Sequence, residues 1–279
     1  MSGPLSRIGR LVTVEAMKVA GGRMLKIGLL ATAAVPALSA WLHERREAET
    51  AWTVASQSLS AGLWVAEIFL LVAGAVTIAG ETGQGTLKMI LPHAYRRSDW
   101  VVAKAIAHAG QAALLLLAAA GAAFVAGLLS GGFHDVTQKF EGGFGDPGHV
   151  DVLQTSGEMW GRLGAATFVA FASLVATGLL GLLVSCLFDT VVPALCAAFL
   201  VFLGFKSAGT LLGASPEFLS RVYATYPGQM LSILEKQSAG FAERWDPTLL
   251  GKGALLAALV AAASVVVGTV VFSRRDLHA

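Results

Sequence analysis

Six stretches of this chain stay apolar for the length of a membrane crossing, and that feature narrows its fold more than any other. Hydrocarbon about 30 Å thick needs about 20 mostly apolar helical residues, because a backbone in lipid must satisfy its own N–H and C=O groups. The stretches are Leu25 to Leu42, Leu59 to Gly80, Ala105 to Leu129, Leu163 to Phe188, Val191 to Gly213 and Gly253 to Phe272. The first is the shortest and contains Pro36; only Asp189 and Thr190 separate the fourth from the fifth. Composition agrees, with 55% hydrophobic and 14% charged side chains and a mean hydropathy of +0.68, values outside the soluble globular range. The expected fold is all-α, a single polytopic domain over residues 1–279 with six transmembrane helices.

An even number of spans puts both termini on one side, and charge decides which. With the termini and the 81–104 segment inside, the inner segments hold Arg7, Arg10, Lys18, Arg23, Lys26, Lys88, Arg96, Arg97, Lys104, Arg274 and Arg275 against five acids. The outer loops, 43–58, 130–162 and 214–252, hold eight cations against twelve acids. The positive-inside rule therefore predicts cytoplasmic termini in an inner membrane. The basic excess reports topology and gives no reason to expect nucleic acid as a partner. Leu38-Ser39-Ala40 resembles a signal-peptidase site, but cleavage there would leave an odd number of spans, so the first span is expected to stay.

Between the second and third spans lies GETGQGTLKMILPHAYRRSDWVVAK, Gly80 to Lys104, polar and strongly charged. Thr86 can cap a short helix in which Leu87, Ile90 and Leu91 share a face, and Pro92 ends it. Two turns of helix are too short to stand alone, so a membrane surface or a partner's groove is expected to hold them. Ser98 and Asp99 then offer an N-cap and a first-turn anion for the next helix.

An acid at the end of a span, a Gly-Thr-Leu step, an apolar pair, Pro, Arg and a Lys in the next helix resemble the coupling region of ABC-2-type transporter permeases. Glu81, Gly85, Thr86, Leu87, Leu91, Pro92, Arg97 and Lys104 carry the match. The resemblance covers the layout of the whole chain, but in residues only this segment and the C-terminal Phe272-Ser-Arg-Arg-Asp276. It implies a cytoplasmic coupling helix in which Glu81, Gly85, Thr86, Leu87, Ile90, Leu91 and Arg97 receive motion from a separate, dimeric ABC ATPase. It also implies a second permease chain, in a homodimer whose path is lined mainly by the second and fifth helices. A re-entrant gate is implied for 214–252, which by composition reads as two short amphipathic helices.

Leu5 to Met24 reads as a basic amphipathic surface helix, with Ile8, Leu11, Val12 and Val19 on one side, suited to anionic lipid or to the ATPase. Trp41 and Trp52 are placed for an aromatic belt. Glu67 is the one acid within a span; it sits about 12 Å from the outer end, and Lys206 about 10 Å from the end of its own span. Equal depth predicts that they pair and line or close the outer path, against the bland alternative that Lys206 reaches back to the interface. Gly178, Gly181, Gly209 and Gly213 offer small surfaces for helix contact. Cys186 and Cys196 both fall inside spans, so no disulfide framework is expected. His134, Asp135, His149 and Asp151 are too scattered to predict a metal site.

No cofactor and no catalytic site are expected. Gly80 to Lys88 lacks the Lys and Ser or Thr of a phosphate-binding loop, and no GxSxG or HExxH occurs. The expected function is the membrane subunit of an exporter-like ABC transporter, with lipid-like or amphiphilic cargo favoured over a hydrated ion. The alternative is a mechanotransmitting subunit that moves a periplasmic or surface partner without transporting a solute. A self-contained secondary transporter would need inverted repeats, which the two halves lack.

Overall fold

A computed structural model describes residues 4–43, 50–86, 96–140, 149–211, 222–241 and 243–274. The helices are α1 (Pro4–Gly21), α2 (Arg23–His43), α3 (Ala51–Gly83), α4 (Arg97–Leu129), α5 (Ser156–Leu187), α6 (Val191–Leu211), α7 (Tyr226–Ser238) and α8 (Thr248–Arg274). Of the described helices, α2, α3, α4, α5 and α8 are long and apolar enough to cross a membrane. The stretch expected as the fifth span forms α6, whose apolar part, Val191–Ser207, is shorter.

The all-α polytopic expectation holds for the bundle, with one small addition. Two short strands, β1 (Val136–Phe140) and β2 (His149–Gln154), pair antiparallel between α4 and α5, with Thr137 opposite Val152 and Lys139 opposite Val150. The segment is rich in Gly and polar residues, so its Val, Thr and Phe positions were too sparse to stand out from loop composition.

The flanking helices also begin earlier than hydropathy predicts. Thr50 accepts from the Thr53 N–H and starts α3 eight residues before Leu59, while Thr155 and Glu158 form a capping box that starts α5 before Leu163. These extra turns cover one end of the bundle. Trp52, expected in an interfacial belt, is instead 1% exposed, packed against Phe133 and Trp160 with its indole N–H donating to the His134 carbonyl. Trp41 is half exposed.

Two helices form the axis of the bundle. A Cβ built on Gly74 of α3 would lie 2.3 Å from the Gly178 carbonyl oxygen of α5, and one on Gly181 would lie 2.5 Å from that of Leu71. Only glycine permits this backbone-to-backbone approach. Gly209 keeps its place in α6, but Gly213 lies outside the described residues. Just beyond the crossing, the Ser185 hydroxyl accepts from the Ile78 and Ala79 N–H groups, tying α5 to α3 again. Around this axis α2 and α4 pack on α3, α6 sits beside α3, and α8 lies along α5. At the far end α7 wedges between α3 and α5, burying Tyr226, Met230, Leu231 and Leu234. Of the two short amphipathic helices expected over 214–252, α7 is described and is part of the core, preceded by one 3-10 turn, Tyr223–Thr225, while residues 212–221 lie outside the described residues.

Candidate functional site

At the end of the bundle where α1 joins it, four charged side chains converge. Leu11 and Glu15 fall one helical turn apart on α1, and both are buried, Leu11 among Trp100, Val101 and Phe272. This lays α1 against α4 and brings Glu15 to Lys104, whose Nζ lies 3.1 Å from Glu15 Oε2 and 2.9 Å from Glu81 Oε1. Lys18 completes the set, 3.3 Å from Glu15 and in a short contact with Glu81.

Lys104 is 1% exposed, a position no ammonium holds without partners. Two carboxylates supply them, and the face of Trp100 lies 4.9 Å from Nζ; the Trp100 indole N–H in turn donates to Glu81 at 3.3 Å. Two acids and two bases leave the cluster neutral. Burial would pull the Lys18 ammonium down, but hydrogen bonds and charge from Glu81, and then Glu15, outweigh it and hold Lys18 above its ordinary value.

The cluster brackets the segment read as the coupling region. Glu81 stands at its start, and Arg97, Trp100 and Lys104 at its finish. Gly85, at φ +70°, turns the chain out of α3, and its N–H donates to Thr82. Thr86 donates its hydroxyl back to the Glu81 carbonyl at 2.9 Å. The residues it was expected to cap, with Leu87, Ile90 and Leu91 among them, lie outside the described residues. Ser98 is not the N-cap; Arg96 takes that position without a side-chain bond, and Asp99 keeps its first-turn place. Arg97 donates to the Phe272 and Ser273 carbonyls at 3.4 and 3.3 Å, satisfying acceptors that the end of α8 leaves open.

Behind the cluster a cavity of about 250 Å³ runs along α4, lined by Glu15, Thr77, Glu81, Gln84, Lys104 and His108. Lys104, His108 and Gln111 share one buried face of α4, and His108 Nε2 lies 3.0 Å from the Thr77 hydroxyl.

The second charged group lies deep in the bundle. Glu67 on α3 is 4% exposed, and Lys206 Nζ on α6 lies 2.7 Å from its Oε2. That ammonium also donates to the Ala224 carbonyl at 3.1 Å and sits 4.5 Å from the centre of the Trp64 ring. Nearby, in the turn before α7, the Tyr223 hydroxyl lies 3.2 Å from that of Thr177.

Of the residues singled out by sequence, the structure joins Glu81 to Lys104 and Glu67 to Lys206, and sends Arg97 to α8. Glu15, Lys18 and Trp100 were missed as members of the cluster. One signal was present: Glu15 is the only acid among the first 43 residues, and it falls on the apolar side of a basic helix, one turn from Leu11.

Apolar helices of this length, packed through glycine and enclosing paired charges, define a multi-pass membrane protein. The chain belongs to the ABC-2 family of transporter proteins, whose family model matches residues 53–277. It is thus a permease-type membrane component of an ABC transporter, of a family that works with an ABC ATPase partner and typically as dimers. The match begins within α3, so α1 and its Glu15 and Lys18 lie outside it, while Glu81 and Lys104 lie within. No curated relative matches the chain.

Proposed function

We propose that the chain is the permease subunit of an exporter-type ABC transporter, working as a homodimer with a separate ATPase dimer bound at the end that carries the four-charge cluster. That end faces the cytoplasm, with both termini, and α6, fifth in chain order, brings the inner-membrane bundle to six spans. The observation that carries this reading is the clamp itself: Glu81 and Lys104, on opposite flanks of the 87–95 segment, are bonded to each other and to α1. A push on Leu87, Ile90 and Leu91 therefore moves α3 and α4 together, takes α1 along through Glu15 and Lys18, and reaches α8 through Arg97. The ATPase drives the change by binding one arrangement more tightly than the other. Glu67 and Lys206 line the path near its outer end.

Co-purification tests the partnership. A Walker-type ATPase should accompany the wild-type chain and be lost from the double variant Leu87→Asp with Leu91→Asp. An ATPase that stays bound, or flux that persists without it, would overturn the proposal. A second reading, mechanotransmission, draws on the hairpin at the opposite end, where Val152 and Leu153 are exposed close to an open cavity of about 520 Å³. ATP-dependent motion without flux in reconstituted vesicles would favour it over transport.

A further inference from the structure

The surroundings of Lys206 form a complete receptor for an organic cation. Glu67 supplies a carboxylate, nine-tenths and more buried, Trp64 an aromatic face 4.5 Å from the ammonium, and Ala224 a carbonyl oxygen at 3.1 Å. Carboxylate, π face and carbonyl are the three groups that recognise an ammonium or its onium relatives in a poorly hydrated site. The Lys206 ammonium now occupies this receptor, 2.7 Å from Glu67 Oε2 and shared with the Ala224 carbonyl and the Trp64 face. Its side chain is 16% exposed, so the site opens to one side. Exposed apolar side chains stand one helical turn away on the same two helices: Trp64 at 48% is one turn from Glu67, Ile68 at 39% one turn from Trp64, and Leu203 at 51% one turn from Lys206.

We propose that Glu67, Trp64 and the Ala224 carbonyl form a binding site for an organic cation with an apolar body, and that Lys206 occupies it in this state as a tethered substitute. The charge of the ligand takes the place of the ammonium beside Glu67, and its apolar part lies against Trp64, Ile68 and Leu203. The ammonium already occupies the space between Glu67, Trp64 and the Ala224 carbonyl, so binding requires Lys206 to leave. Because Lys206 rides on α6 and Glu67 on α3, ligand occupancy then favours a different spacing of these helices. The role of the site in transport rests on the permease reading, whereas binding does not.

The test uses the full chain in lipid nanodiscs, without ATPase, and tetraphenylphosphonium as probe, followed by equilibrium dialysis and tryptophan fluorescence. Saturable binding to the wild type is expected to tighten at least tenfold in Lys206→Ala and in Lys206→Met, with circular dichroism and gel filtration confirming that each variant is folded. Binding should vanish when Glu67→Gln is added to either, and Trp64→Phe should remove most of the fluorescence change. Neutral triphenylphosphine oxide should not compete. Equal affinity in wild type and both Lys206 variants, binding that survives Glu67→Gln, or competition by the neutral analogue would each overturn the proposal. Cation binding without ATP-driven flux would sink the transport reading and leave this site standing; flux with no Glu67-dependent binding would do the reverse.

Discussion

The two groups of buried charge in this protein are built on opposite plans. In the cluster of Glu15, Lys18, Glu81 and Lys104 every carboxylate touches both ammoniums, and Lys104 touches both carboxylates. Glu67 and Lys206 have only each other among the charged side chains paired with them in the described residues. Redundancy makes the first a structural joint: after the loss of one member, each of the others keeps an oppositely charged partner. The second is a toggle, since parting its two members exposes a carboxylate in an apolar setting where a lone charge costs several kcal/mol. On the proposed reading, a joint suits the end where the ATPase would push, and a toggle the place where cargo would pass.

Removing single charges probes the contrast most directly. Lys206→Met should have the largest effect, lowering thermal stability by about 3–5 kcal/mol because it strands Glu67, and adding Glu67→Gln should recover most of the loss. If the double variant melts no higher than the single one, the toggle description fails. Lys104→Met should cost less, about 1.5–3 kcal/mol, since Lys18 stays beside both acids. A cost equal to that of Lys206→Met would erase the distinction between the two plans.

Gly74→Ala tests what lies between the two groups. Its new Cβ meets a backbone carbonyl at 2.3 Å, so about 1–3 kcal/mol is expected from forced separation of α3 and α5, with the loss read as a lower unfolding midpoint. Lys18→Ala should have the smallest effect, about 0.5 kcal/mol, because its side chain is 50% exposed. The sign of the matching pH effect follows from its raised value. The contribution of Lys18 is whole below 10.5 and fades as pH climbs beyond that, so the difference between wild type and Lys18→Ala should stay constant from neutrality to about pH 10 and close above it. A gap that changes near pH 7 would place the stabilisation elsewhere.

Much of this was legible in the amino-acid order, for identifiable reasons. The long helices were visible because lipid demands uninterrupted apolar length, and the Glu67 to Lys206 pairing because two isolated charges at equal depth have few other partners. Helix ends were not visible to hydropathy, since Thr50 and Thr155 start α3 and α5 by capping turns that lie beyond the apolar runs. The clamp was half visible. Glu81 and Lys104 stood at the two flanks of one segment, but Glu15 reaches them only after α1 folds back on α4, a contact between residues 89 positions apart. The burial of Trp52, which donates to the carbonyl of His134, depends on a similar long-range meeting that local composition does not encode.

One consequence follows from where Gly74 sits. It lies seven residues from Glu67 and seven from Glu81, so the backbone contact with Gly178 and Gly181 divides α3 into arms of about 10 Å each. A rod resting on such a fulcrum has a mechanical advantage near one and reverses direction. If α3 tilts there as a rigid body, an ångström of travel at Glu81 returns about an ångström of opposite travel at Glu67, which lengthens its 2.7 Å contact with the Lys206 ammonium and loosens the pair.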